Sequence, residues 1–215
     1  MLSFAEEIVL LLLDDASGEF VELPEAVFEV AVAGAALMDL AVRNRIDTDL
    51  EQLMVVDRAP VDDDILDDAL RRLGVPAGDL NIVHALYDIV PQVGAYKARA
   101  LTRLVAHGIL REENGRHLWV FRTRRYPVID DAEQREVRAR LRQILLTDEI
   151  PEARDIALIC LINACRLLRL LLGEQEIAGA APRVEQLRKM DLIGQAVAKS
   201  TSECAAIINF AASSV

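Results

Sequence analysis

The longest strongly apolar runs of this chain, residues 8–13, 31–38 and 156–165, are far too short to cross a bilayer. A spanning helix needs about 20 apolar residues. Such runs must therefore bury against one another, and their chemistry says how. Hydrophobic residues make up 53% of the chain but aromatic ones only 4%, and Ala, Leu and Val are abundant. That mixture favours helices packed on helices. The reading is a mainly α protein, with 215 residues enough to bury a full core as a single compact domain over 1–215.

Local signals divide the chain into elements. Ser3 followed by Glu6 is a capping box, so the first helix is expected over 3–13. Residues 10–13 are apolar all round, which marks its end for a central position. Glu6 and Glu7 stand where an export signal carries Lys or Arg, so a buried helix is expected here and not a leader. A turn at 14–18 leads to a second helix from Pro24 to Arg43, then a pair of short strands within 46–56. Further helices are expected at 61–73, 79–90 and 92–107, the last stopped by Gly108 as its C′ residue. Asn114-Gly115 reads as the turn of a β-hairpin whose second strand is 117–121. Helices at 130–147, 151–173, 182–199 and 200–213 complete the expectation.

Charge is segregated along this plan. Residues 1–96 carry 20 acids against 5 bases, a net −15, whereas residues 97–142 carry 12 bases against 6 acids, a net +6. The whole chain is at −11. A short basic island in an acidic protein suits a negative partner such as a lipid headgroup or nucleic acid. Its arginines, Arg122, Arg124 and Arg125, follow the hairpin, which also bears Leu118, Trp119 and Phe121.

No reaction centre is evident. His84, His107 and His117 are scattered, and no triad order, zinc-binding helix or phosphate loop occurs. Cys160, Cys165 and Cys204 match neither a disulfide framework nor a zinc pattern. The acids at 62–68 lack the alternating ligands of a calcium loop and suit a helix start. No catalytic residue, metal or cofactor is therefore expected.

The helix at 92–107 followed by a hairpin has the outline of a winged helix. A basic wing could hold DNA through phosphate contacts, but a net charge of −11 disfavours nucleic acid as partner. On this helix Arg99 and Arg103 project away from Leu101, Leu104 and Val105, and are expected in solvent. Lys97 instead falls on the apolar face. It must snorkel outward, lie beyond the packed region, or ligate something in a pocket.

With these segments placed, the chain resembles the Golgi phosphoprotein 3 family of cytosolic adaptors. The matching stretches are LSFAEEIVLLLLDDASGEF at the start, GAALMDLAVRNRI at 34–46, DDDILDDALRRLG at 62–74, LTRLVAHGILREENGRHLWVF at 101–121 and ARDIALICLINACRLL at 153–168. The resemblance implies a helical domain decorated with a hairpin, no catalysis, and recruitment to membranes by binding phosphatidylinositol 4-phosphate. In eukaryotic members it also implies retention of glycosyltransferase clients at the Golgi and self-association through the hairpin. The family's headgroup-binding positions fall here at Pro24, Ala33, Gly94 and Lys97, and only Lys97 is a base. A doubly charged phosphomonoester normally draws on several charge-assisted contacts, so the phosphatidylinositol 4-phosphate specificity is not carried over. The chain looks like a prokaryotic-type relative.

The sequence thus leads to a non-enzymatic, cytoplasmic, peripherally membrane-associated adaptor. Its expected partners are an anionic phospholipid or phosphoinositide headgroup, client proteins, and a second copy through the hairpin. The face carrying Lys97, Leu118, Trp119, Phe121, Arg122, Arg124 and Arg125 would meet the lipid. The alternatives are a winged-helix DNA-binding regulator and a protein–protein scaffold.

Overall fold

The computed structural model describes residues 2–14, 17–48, 52–73, 82–117 and 121–190, with the side chains of 114–117 and 121–123 set aside. Leu118, Trp119, Cys204 and the expected helix at 200–213 lie outside the described residues. What is described is mainly helical, with one two-stranded β-hairpin projecting from it and a second, shorter strand pair.

Helix α1 (Phe4–Leu11) is buried along its whole length, Glu6 and Glu7 included. Its start is the expected capping box, with Glu6 N donating to Ser3 Oγ at 3.2 Å and Ser3 N donating to Glu6 Oε2 at 2.7 Å. Helix α2 (Glu25–Val42) packs against it, and its run of small residues, Ala31, Ala33, Gly34, Ala35 and Ala36, lets the two backbones approach closely. The strands β1 (Ile46–Thr48) and β2 (Leu53–Val55) pair antiparallel. Then come α3 (Asp64–Arg72), α4 (Ile82–Ile89) and α5 (Val93–Ala106). Strands β3 (Glu113–His117) and β4 (Phe121–Arg125) form the hairpin, and α6 (Ala132–Leu146), α7 (Ala153–Ala164) and α8 (Glu174–Arg188) follow. Helix α1 touches α2, α5 and α6, while α7 and α8 close the far side over α2 and α6.

Because α1 ends inside the core, its last carbonyls cannot turn to water. Gln134 of α6, 1% exposed, supplies the missing donor, with its Nε2 3.0 Å from Leu10 O. Val21 N donates to Leu12 O at 2.9 Å, and Leu13 bridges Phe20. The loop after α1 is thereby folded back beside it.

Three helices end alike. After α2, α5 and α7 the residues Asn44, Gly108 and Arg166 adopt positive φ (55°, 73° and 59°). In each the next N–H reaches back to close the helix: Arg45 N to Leu40 O at 2.8 Å, Ile109 N to Leu104 O at 3.0 Å, and Leu167 N to Ile162 O at 2.8 Å. These are Schellman ends. Gly108 was expected to be one. Arg166 was not, and it stops α7 well before residue 173, so the long helix expected over 151–173 is replaced by α7 and a short 3-10 turn at Leu168–Leu170.

The hairpin also differs from expectation. Asn114 and Gly115 are not its turn but strand residues, paired with Arg124 and Thr123. The register is set at the root, where Leu110 bridges Val128 and Arg111 N donates to Pro127 O at 3.0 Å. Leu110 is only 1% exposed, and a one-residue slip would turn it out of the core. That register draws Arg122, Arg124 and Arg125 into β4. Finally, α8 begins at Glu174, so Pro182 lies within it and not at its first turn.

Candidate functional site

Arginines on α5 are committed to the protein itself. Arg103 forks onto the Asp63 carboxylate, with both contacts at 2.9 Å, and also reaches Asp64. Arg99 donates to Asp64 O at 2.6 Å and lies 3.2 Å from its carboxylate. The expectation that both arginines sit in solvent is corrected: their helix face is opposite the core, but Asp63 and Asp64 at the start of α3 reach it. Asp63 is the N-cap of α3, accepting from Ile65 N at 2.9 Å and Leu66 N at 3.1 Å. Burial pushes its carboxyl up, but the Arg103 hydrogen bond and the backbone donors outweigh that and hold it below the usual range.

Lys97 is different. Its side chain is half-buried, and among the described residues no carboxylate pairs with it. Its ammonium rests instead on two rings, 3.7 Å from the centroid of Phe20 and 4.7 Å from that of Phe28. The rings meet edge to face, with centroids 5.3 Å apart and planes at 89°. Burial pushes the amine below the ordinary lysine value, and the negative ring faces partly offset that cost.

Each side chain is placed by an element already described. Phe20 is held by the Leu13 bridge, Phe28 sits in the early turns of α2, and Lys97 lies near the start of α5. The phenylalanines were missed from sequence. The available signal was that two of only five phenylalanines flank Pro24 at close spacing.

The other family-equivalent positions scatter around this seat. Pro24 is the exposed N-cap of α2. Gly94 is exposed in the first turn of α5, and a Cβ built there meets nothing within 4 Å. Ala33 is 0% exposed in the middle of α2, about 13 Å along the axis from Pro24 by helical rise.

One loop joins the seat to the hairpin. Gly18 takes a φ of +65°, and its carbonyl accepts from Tyr126 N at 2.8 Å. Glu19 pairs with Arg125 of β4 at 2.8 Å, and the next residue is Phe20. Arg124 lies 3.4 Å from Glu112. Both pairs are substantially exposed, 39% and 66% at the arginines, and exposed pairs of this kind contribute little. Phe121 and Arg122 lie in β4.

A second charged feature is internal. Arg140 donates to Glu7 at 3.1 Å, Glu136 at 2.6 Å and Asp155 at 2.9 Å, while Arg154 donates to Glu7 at 2.9 Å and Leu2 O at 2.7 Å. A cleft of 470 Å³ between α6 and the loop before α7 opens onto this network. Its two arginines are shared among acids of α1, α6 and α7, which suits a structural role. Cys160 and Cys165 are buried, and burial pushes the Cys165 thiol up to about 12, leaving it inert. Among the described residues no group of three or more His, Cys, Asp or Glu side chains could hold a metal ion. No helix among them is long and apolar enough to cross a membrane.

Comparison with known proteins adds one finding. A sequence model described as Golgi phosphoprotein 3 (GPP34) matches residues 4–204. No curated protein matches the chain.

Proposed function

The chain belongs to the Golgi phosphoprotein 3 family, a family of non-enzymatic adaptors, and on that premise we propose that it is a peripheral membrane adaptor holding an anionic phospholipid headgroup at Lys97. The observation that carries this reading is the state of that lysine. It is a partly desolvated ammonium with no carboxylate partner among the described residues, kept at the edge of the fold by two aromatic rings. A protein that used the lysine only for stability gains little from leaving it unpaired while Arg99 and Arg103 of the same helix are matched.

Docking would combine two weak signals. Lys97 supplies a seat for the phosphate, and the hairpin, joined to the Phe20 loop by the Glu19–Arg125 pair, supplies the second signal. Each base near an anionic surface contributes about 1 kcal/mol, and one signal alone seldom holds a protein on a bilayer. Arg124 and Arg125 can exchange Glu112 and Glu19 for phosphates, since their present pairs are exposed. The acidic remainder of the molecule turns away from the same surface and orients it. Client proteins and a second copy, the latter through the hairpin, complete the adaptor role.

Co-sedimentation with vesicles tests this. The full chain should pellet with anionic vesicles and stay in solution with neutral ones, with binding that weakens as salt rises. Replacing Arg122, Arg124 and Arg125 together by Glu should release it. If that variant pellets as the original does, the membrane reading fails.

A further inference from the structure

Resting on the reading that the hairpin meets an anionic membrane, we propose that Glu19, Glu112 and Glu113 form an autoinhibitory set. They hold the arginines at the hairpin root and release them only to a surface dense in negative charge. The register carries the argument. Leu110 bridges Val128 and Glu113 pairs with Arg125, so one antiparallel register runs through the whole root. Side chains alternate between the faces of a strand, which puts Arg111, Glu113 and Arg125 on one face and Glu112 and Arg124 on the other. Each of these arginines already has a carboxylate. Arg111 lies 2.5 Å from Glu113, Arg124 3.4 Å from Glu112, and Arg125 2.8 Å from Glu19, which reaches in from the loop after α1. These three bases and three acids cancel on both faces. The described root therefore lacks the positive potential that the charge count of residues 97–142 suggests.

The pairs are weak enough to be exchanged. All six side chains keep at least 39% of their surface in solvent, and an exposed pair is worth up to about fivefold in an equilibrium. A base near an anionic surface is worth about fivefold as well. Cost and gain nearly balance, and each carboxylate set free is repelled by the same surface. Sparse phosphates gain nothing by displacing a glutamate. A dense array replaces all three at once, so binding should rise steeply with the fraction of anionic lipid.

The test uses the full chain and phosphatidylcholine vesicles with a rising fraction of phosphatidylglycerol. Glu19→Gln, Glu112→Gln and Glu113→Gln together should bind about tenfold more tightly than the original protein at a low fraction, and the steep rise should become shallow. A charge-matched control, Asp148→Asn with Glu149→Gln and Glu152→Gln, removes the same number of acids beyond the far end of α6. That end is about 21 Å along the helix axis from the end that follows the hairpin. The screening length at 0.1 M salt is about 10 Å, so the control should bind within about twofold of the original. Hydrogen exchange at Tyr126 N, which donates to Gly18 O, should be unchanged in the glutamine variant. Lost protection there would make the three acids structural and overturn the proposal. Equal binding by the glutamine variant and the original, or equal tightening by the control, also overturns it, and leaves the membrane reading standing. Binding by neither the original nor the glutamine variant at any fraction overturns the membrane reading itself.

Discussion

Asp39 and Phe4 stand 35 residues apart in the chain, yet the Asp39 carboxylate accepts the Phe4 backbone N–H at 2.8 Å and so caps the first turn of a helix it does not belong to. The contact ties α2 to the start of α1. Arg154 of α7 approaches the same carboxylate at 3.8 Å. Asp39 is nevertheless 4% exposed, and burial dominates: its pKa rises from 3.8 to about 7.

The first prediction concerns pH. Asp39 binds its proton more readily in the folded than in the unfolded chain. Its contribution is therefore complete below about pH 4 and is lost as pH rises through about 7. Glu7, also raised by burial, adds in the same direction. In urea denaturation, Asp39→Asn should flatten the fall in stability between these limits by on the order of 2–4 kcal/mol. An unchanged profile would show that Asp39 titrates normally.

Arg154 should matter more than any arginine on the surface. It donates to Glu7 and Leu2 O and lies 4.0 Å over the Phe4 ring. Arg154→Met should cost about 3–5 kcal/mol near neutral pH, because Glu7 and Asp39 keep buried charge with less compensation. The loss should shrink in acid, where both carboxyls are protonated. A pH-independent loss would point to packing alone.

At Asp63 two roles can be separated. Asp63→Asn keeps the N-cap and loses the Arg103 fork, whereas Asp63→Ala loses both. The alanine variant should be the less stable of the two, by about 1 kcal/mol for the cap. Equal losses would mean that the fork carries all of the effect. Since the Asp63 carboxyl is held below its usual range, its contribution is present above about pH 4 and falls away in stronger acid, opposite in sign to that of Asp39.

Gly18→Ala should loosen the root of the hairpin. Besides the unfavourable φ of +65°, the added Cβ would lie 2.4 Å from Pro127 N. The penalty should exceed the roughly 1–2 kcal/mol of a left-handed backbone alone. Faster hydrogen exchange at Tyr126 N, which Gly18 O now accepts, would report the undocking, and unchanged protection there would contradict it.

Legibility followed the range of the interactions. The capping box at Ser3 and Glu6 and the stop at Gly108 depend on neighbours within a turn or two, and they were readable. The hairpin was readable as an element but not in register. Asn114-Gly115 is a genuine turn signal, and the burial of Leu110 at the root outweighs it. Lys97 could be singled out by its place on the wheel, but what it touches could not.

What the chain determined by itself is the helical class, the capping box of the first helix, the stop at Gly108, the segregation of charge and the family. Each of these is a property of composition, of spacing along the chain, or of motifs read in order. Tertiary structure alone decided that Arg166 takes a left-handed end, that Arg99 and Arg103 are spent on α3, and that Phe20 and Phe28 carry Lys97. The physical reason is the same in all three. An unfavourable φ, a desolvated charge and a half-buried amine each cost free energy locally, and only partners far away in sequence offset it.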